Sequence, residues 1–406
     1  MDIANLLLGG IVGAFLGYVL PKSYESTRAR VQDRTRRRRR EVMASARVYT
    51  WVIEYYRRRN RSAELYVVDT GTQQVTIPFL TRPEWQKAFR VGSGFPQLIR
   101  SSGVVGQNFP VDRRGLAKRE RMGQRLFNAP ALFFESLETN DDRVFLNAGR
   151  CDYFHVATSL LSIEEETFRA VRSRFRTPTP VRDKWLGNPR DTQGTLRKPF
   201  SIAASVAIVF RGDGTPCVML QTRSHETVTY GGLRAVIPYF GVVPVERPRG
   251  YHNPGIENSI DLLETNLAKE YCEELFSYDR LIEESKLRGV DARWFWEFPE
   301  AKELRSLLDS ERATLWCLGF GFDGLNGSAT LALMLQIDDQ YVTDSLMRRI
   351  AGNWEVADRT TDGGAIELME IPSLQLESLF TDHQLTYGSA FTLGRILEHF
   401  RSLDSG

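Results

Sequence analysis

Apolar positions along this chain change their spacing several times, and the changes mark out its elements. Ile3 to Leu20 (IANLLLGGIVGAFLGYVL) carries no charge at all. From Glu41 to Arg59 the apolar positions Val42, Ala46, Tyr49, Val52 and Tyr56 fall three and four residues apart, which predicts a helix. Strand-like runs follow at Glu64–Asp69, Gln74–Leu80 and Val144–Leu146, separated by loops such as 92–96. The stretch from Arg125–Asn128 to Cys151–Phe154 reads as strands leading into a helix near Ser162–Arg174. Pro178–Arg197, rich in Pro, Gly, Asp and Arg, reads as a linker. Beyond it, Ala203–Phe210 and Cys217–Arg223 flank the turn Arg211-Gly212-Asp213-Gly214 as a hairpin. Leu263, Leu267, Tyr271 and Leu275 then give a helix its core-facing stripe. Two further strands, Ala313–Phe322 and Ser328–Ile337, enclose the turn 323–327, and a helix over Ser389–Arg401 closes the chain.

The first apolar run is long enough to cross a bilayer, which takes ~17–25 residues. Only Asp2 precedes it, so it lacks the positive flank of a cleaved signal peptide. Lys22 to Arg40 holds nine basic and two acidic residues, net +7, against +2 for the whole chain, which leaves −5 for the rest. That asymmetry places the basic side in the cytoplasm and the N-terminus outside, as in a single-pass protein of a bacterial inner membrane. Gly9, Gly13 and Gly17 share a helix face, the spacing that favours self-association into a homo-oligomer. Arg36–Arg40 is positioned to grip anionic lipid headgroups, and the mildly acidic body excludes general nucleic-acid or direct DNA binding. The expected organisation is a transmembrane helix (1–21), a basic juxtamembrane helical segment (22–62), a middle α+β domain (63–177), a linker (178–198) and a C-terminal α/β domain (199–406). At 406 residues, 42% of them hydrophobic, the chain has room for two cores. Its four cysteines, Cys151, Cys217, Cys272 and Cys317, form no CxxC pair, which fits reduced thiols. The five histidines lack zinc-ligand spacing.

The densest chemistry lies between Gly255 and Ser277 (GIENSIDLLETNLAKEYCEELFS). Glu270 is a helical neighbour of both Glu273 and Glu274. Carboxylates so close repel unless a cation sits among them. A hard divalent ion such as Mg2+ or Mn2+ suits such oxygens, and it could neutralise phosphate charge and activate a water. An ordinary amphipathic helix with a solvated acidic face explains the same residues more blandly.

This stretch resembles the Nudix box, a Gly, five residues, a Glu, seven residues, then Arg-Glu-aliphatic-x-Glu-Glu-x-Gly-aliphatic. Gly255 takes the first Gly, Asp261 the first acid, Lys269 the Arg, and Glu270, Glu273 and Glu274 the remaining acids. Asp261, Lys269, Phe276 and Ser277 depart from the pattern. Lys269 lacks the planar fork of Arg, and Phe276 removes the Gly that eases a helix exit. In a second register, which we favour because a strand then feeds the loop, the strand-like run Ala235–Glu246 opens the motif, Gly241 is the first Gly and 247–254 is an insertion. The resemblance implies a Nudix-like mixed-sheet α/β/α sandwich over residues 199–406. It also implies metal-dependent hydrolysis of a nucleoside diphosphate linked to another moiety. Glu270, Glu273 and Glu274 would hold the metal and Lys269 would brace them; Glu246, Glu355 and Glu367 are open as general base.

With an anchor, a middle region and this terminal domain, the architecture is similar to the SMODS-associated Nudix effectors of bacterial anti-phage (CBASS) systems. That likeness implies activation by a cyclic oligonucleotide from a partner nucleotide cyclase. Two other readings stay open. One is a catalytically silent Nudix fold that senses a nucleotide and disrupts a membrane through its helix; the other is a tethered housekeeping pyrophosphatase.

Overall fold

The computed structural model describes residues 34, 37, 39, 41–43 and 45–404, apart from 60–63, 92–97, 107–108, 122–125, 127, 141–142, 174–176, 187–199, 213, 225–226, 228–229, 245–258, 279–296 and 351–365. The core is one large mixed sheet. Its strands are β1 (Glu64–Asp69), β2 (Gln74–Thr81), β3 (Phe89–Val91), β7 (Ile202–Phe210), β8 (Cys217–Thr222), β9 (Arg234–Val236), β10 (Tyr239–Gly241), β11 (Ala313–Asp323), β12 (Ala329–Ile337) and β13 (Ile366–Glu370). The order is β1-β2-β11-β12-β7-β8-β13, with β3 added to β11, β10 to β7 and β9 to β8. Strands β4 (Ile99–Val105), β6 (Arg143–Asp152) and β5 (Pro130–Asn140) form a separate three-stranded sheet in that order.

At the centre β7 and β12 run parallel, and every residue of both is buried. That is why both read as unbroken apolar runs rather than alternating ones: a strand covered on both faces has no solvent side to mark with polar residues. Helix α9 (Tyr387–Asp404) covers one face, where the His399 ring packs 4.8 Å from Trp316 and Arg395 Nε donates to the Leu318 carbonyl at 2.9 Å. The hairpin, the β11–β12 pair and the closing helix lie where the periodicity places them. The helix expected near Ser162 begins earlier, as α3 (Tyr153–Arg172), directly from the end of β6.

The expected fold class needs correction. Among the described residues no helix is long and apolar enough to cross a membrane. The run Ile3–Leu20, with Gly9, Gly13 and Gly17, lies outside the described residues. The arginine tract does not simply face outward either. Arg39 is 8% exposed, with Nη1 2.7 Å from Glu165 Oε2 and its guanidinium 4.5 Å from the Phe168 ring, so α3 takes up this charge. Neither is the middle region a body apart, because β1, β2 and β3 join the same sheet as β11.

The segment read as a linker contains a helix, α4 (Pro180–Leu186), whose Arg182 has no exposed surface. Its Nη1 donates to the Tyr56 hydroxyl (2.9 Å) and the Gly324 carbonyl; its Nη2 donates to Thr167 Oγ1 and the Leu325 carbonyl (2.6 Å). Glu166 accepts the main-chain N–H groups of Val181 and Arg182, both at 2.8 Å. Helix α1 (Ala46–Arg59), α3, α4 and the β11–β12 turn thus close on one guanidinium.

Beside that turn Asp323 is fully buried. Burial raises its pKa, against the Tyr230 hydroxyl, the N–H groups of Leu325 and Asn326 and the charge of Arg182, and the group is pushed from 3.8 up to about 6. A carboxyl raised on folding binds its proton more tightly in the folded state, so stability falls as pH rises from about 4 to about 6 and levels off above. At ~1.36 kcal/mol per unit the component is about 3 kcal/mol. Asp323→Asn removes it. Urea unfolding from pH 4 to pH 7 should show wild type losing about 3 kcal/mol relative to the variant; a pH-independent difference contradicts the assignment.

Candidate functional site

Strand β10 lies antiparallel to β7 and ends on Gly241. The chain then passes through 245–258, and helix α5 starts at Ser259 and runs to Glu270. A strand therefore precedes the helix along the chain, as the register that begins at Gly241 expects. A Cβ at Gly241 would meet nothing within 4 Å and its φ is not left-handed, so space does not demand glycine there. Gly255 lies outside the described residues, and Asp261 sits in the first turn of α5.

Helix α5 presents Leu262, Leu263, Leu267 and Ala268 to the core. Buried among them, Asn266 clasps the chain leaving β10: its Oδ1 accepts from the Val243 N–H and its Nδ2 donates to the Val243 carbonyl, both at 3.0 Å. The helix continues as a π-helical turn, Tyr271–Leu275. Such turns are rare and cluster at functional sites. Phe276, at the box's glycine position, has φ −116, and the left-handed exit falls one residue later on Ser277 at φ 62.

The three acids divide between two sets of partners. Lys269 Nζ lies 2.7 Å from Glu270 Oε1 and 2.8 Å from Glu273 Oε2, with all three side chains largely buried. Burial works against the ammonium charge, yet the pull of Glu270 and then Glu273 outweighs it and holds Lys269 above its ordinary range. Glu274, 1% exposed, accepts from Gln221 Nε2 at 3.3 Å and from the Tyr239 N–H at 3.3 and 3.4 Å. Because of this division, no three His, Cys, Asp or Glu side chains among the described residues converge as a metal site. Carboxylate oxygens are the donors a hard divalent ion takes, and here Lys269 fills the cation's electrostatic role between Glu270 and Glu273.

Register decides what else belongs to the site. Direct ladder partners share a face of a sheet, and neighbours along a strand alternate. Gln221 pairs with Ala235 and Ile366, whereas Glu367 pairs with Leu220. Glu367 therefore projects from the opposite face to Gln221, and its carboxylate lies 2.6 Å from Arg234 Nη1. It is not placed to serve as base beside Glu274, while Glu246 and Glu355 lie outside the described residues. The Arg223 guanidinium, just past β8, lies 5.4 Å from the Tyr239 ring.

Sequence reasoning missed Gln221, Asn266 and the Tyr239 N–H. The available signal was a single amide in each of two apolar runs, CVMLQT and LLETNLA. Compared with known proteins, the sequence matches no family model and no curated protein.

Lys269→Met leaves two adjacent, largely buried carboxylates without their shared cation. It should lower stability at pH 7 by about 2–3 kcal/mol. The loss should vanish in a Glu270→Gln, Glu273→Gln background, where no carboxylate is left for Lys269 to neutralise. Urea denaturation at pH 7 in the two backgrounds checks this, and an equal loss in both contradicts the charge assignment.

Proposed function

We propose that this chain is a Nudix-type hydrolase that cleaves a nucleoside diphosphate-linked substrate with Mg2+ or Mn2+. One observation carries the reading. Glu270, Glu273 and Glu274 occupy a single helical turn, fed by a strand and clasped loop, and Glu274 is pressed against the strand ends at Gln221 and Tyr239. An acid this deeply buried is retained against a desolvation penalty of several kcal/mol, which a solvated acidic face would not require.

Glu270, Glu273 and Glu274 would hold the metal, which would neutralise phosphate charge and lower the pKa of a bound water. Before a cation binds, Lys269 keeps Glu270 and Glu273 together. Gln221 and the Tyr239 N–H fix Glu274. Water attacks phosphorus, the bond from phosphorus to the bridging oxygen breaks, and the water's proton leaves to solvent. The effector role, with activation by a cyclic oligonucleotide, rests on the sequence resemblance alone. We extend the proposal to it on that basis.

A second reading has its own support. Lys269 already neutralises Glu270 and Glu273, so the turn is stable as a metal-free scaffold that binds a nucleotide without cleaving it. Phosphate release from a panel of nucleoside diphosphate derivatives separates the two. The assays run with Mg2+ or Mn2+, with and without cyclic oligonucleotides. The hydrolase reading expects metal-dependent turnover that falls by at least about 100-fold (roughly 3 kcal/mol) in the Glu273→Gln, Glu274→Gln double variant. Turnover equal in variant and wild type contradicts it. Absence of turnover with retained cyclic oligonucleotide binding favours the silent scaffold.

A further inference from the structure

Helix α2 (Arg113–Arg121) lies beside α3 and runs in the same direction. The Asp112 N–H donates to Thr158 Oγ1 at 3.1 Å, Leu116 packs with Ala157 and Leu161, and Arg119 Nη2 lies 3.0 Å from Glu164 Oε2. Residues three apart share a helix face, so the apolar contact at Leu116 carries Arg119 against α3, although α2 (RRGLAKRER) is otherwise polar and strongly basic. Arg39 reaches the same place from the chain that precedes α1. Its Nη1 lies 2.7 Å from Glu165 Oε2 and its Nη2 3.9 Å from Glu164 Oε1. Lys118 and Arg169 approach Glu165 Oε1 at 3.8 and 3.4 Å; with side chains 59% and 67% exposed, they form the solvent side of the cluster. The Arg172 guanidinium lies 5.0 Å from the Phe168 ring, the ring that also carries Arg39.

Five cations thus surround two carboxylates, and three positive charges are left over. All four carboxylate oxygens already face cations, so acceptors are what the cluster lacks. Arg39 and Arg119 are 8% and 4% exposed, and Arg39 Nη2 and Arg119 Nη1 are buried without a hydrogen-bond acceptor among the described residues. The two guanidiniums also feel one another: burial lowers the Arg119 pKa, Glu164 opposes this, and Arg39 adds to it. Donors without acceptors, backed by surplus positive charge, suit an anion, and guanidinium forks match phosphate oxygens in particular. We propose that Arg39, Lys118, Arg119, Arg169 and Arg172 form a binding site for a phosphate group that carries two or more negative charges, as in a pyrophosphate or a phosphate monoester. A singly charged phosphodiester would leave most of the surplus in place. The site shares no residue with the acidic turn, so it does not rest on the hydrolase reading.

The test is binding of inorganic pyrophosphate to the purified full chain, measured by calorimetry at about 0.15 M salt. EDTA is present, so that no divalent metal at the acidic turn contributes. The Lys118→Gln, Arg172→Gln double variant removes two exposed cations and leaves the buried pairs of Arg39 and Arg119 in place; thermal unfolding verifies its fold. The proposal expects saturable binding to wild type that weakens about 10-fold or more in this variant. A second variant, Glu164→Leu with Arg119→Leu, removes a buried pair together, which such pairs often tolerate, and should bind at least about 10-fold more weakly as well. A wild-type chain that binds no pyrophosphate overturns the proposal. So does either variant binding as tightly as wild type, which would leave the cluster a structural ion network. Vesicles of phosphatidic acid identify the source of the phosphate. Sedimentation of wild type that pyrophosphate reverses and the first variant lacks assigns a lipid headgroup, and pyrophosphate binding without sedimentation assigns a soluble ligand.

Discussion

A guanidinium with no exposed surface holds this molecule together. Arg182 joins Tyr56 of the first helix, Thr167 of the long middle helix and the carbonyls of Gly324 and Leu325 at the turn between β11 and β12. A charge so placed is tolerable only while its partners are complete, because removing one member of such a cluster costs roughly 3–5 kcal/mol. The constraint reaches further through Asp323, the next residue before that turn, which accepts from Tyr230 in the chain between β8 and β9. Fixing that chain fixes β9, and through Ile237 and Pro238 it fixes Tyr239, whose N–H meets Glu274. The buried cluster in the supposed linker and the acids of the helical turn therefore belong to one connected framework.

The candidate site is a balance of charge. Three carboxylates within a single helical turn, all largely buried, are unfavourable by themselves, and the structure handles them in two ways. Lys269 lies between Glu270 and Glu273, while Glu274 is turned to neutral donors on the sheet. The second arrangement leaves the Glu274 oxygens against Gln221 and Tyr239 on the strands. Lys269 in place of Arg fits this geometry: a compact ammonium on a flexible stem reaches two acids and can leave them, where a bidentate fork would hold one in a fixed plane. The departure of Phe276 from the box is likewise accommodated. Ser277 takes the left-handed exit, at a cost of about 1–2 kcal/mol that a glycine would not incur.

Much of this was legible in the sequence wherever periodicity is strong. The strands at 203–210, 217–223, 313–322 and 328–337 and the closing helix follow directly from apolar runs and turn residues, and the clustering of Glu270, Glu273 and Glu274 follows from helical spacing. Long-range pairing was not legible. Nothing local to Gln74–Thr81 states that it joins β11, more than two hundred residues away, so the middle region read as a body of its own. The linker reading failed for a related reason: Pro, Gly and Arg mark a loop by composition, but an arginine satisfied by distant carbonyls is buried regardless of its neighbours. Arg39 repeats the lesson, because a run of arginines reads as a grip on lipid headgroups until Glu165 and Phe168 are seen beside one of them. Gln221 carried a weak signal, one amide in an apolar strand, whose meaning depended on which face the register gave it.

The proposed hydrolase needs an acidic turn that takes a cation. The most direct measurement is anomalous diffraction from crystals of the full chain soaked in Mn2+. A metal-dependent hydrolase should show a single anomalous peak bounded by Glu270, Glu273 and Glu274, with Lys269 displaced from between the first two acids. A turn that keeps Lys269 bridging Glu270 and Glu273, with no anomalous density beside Glu274, would contradict it.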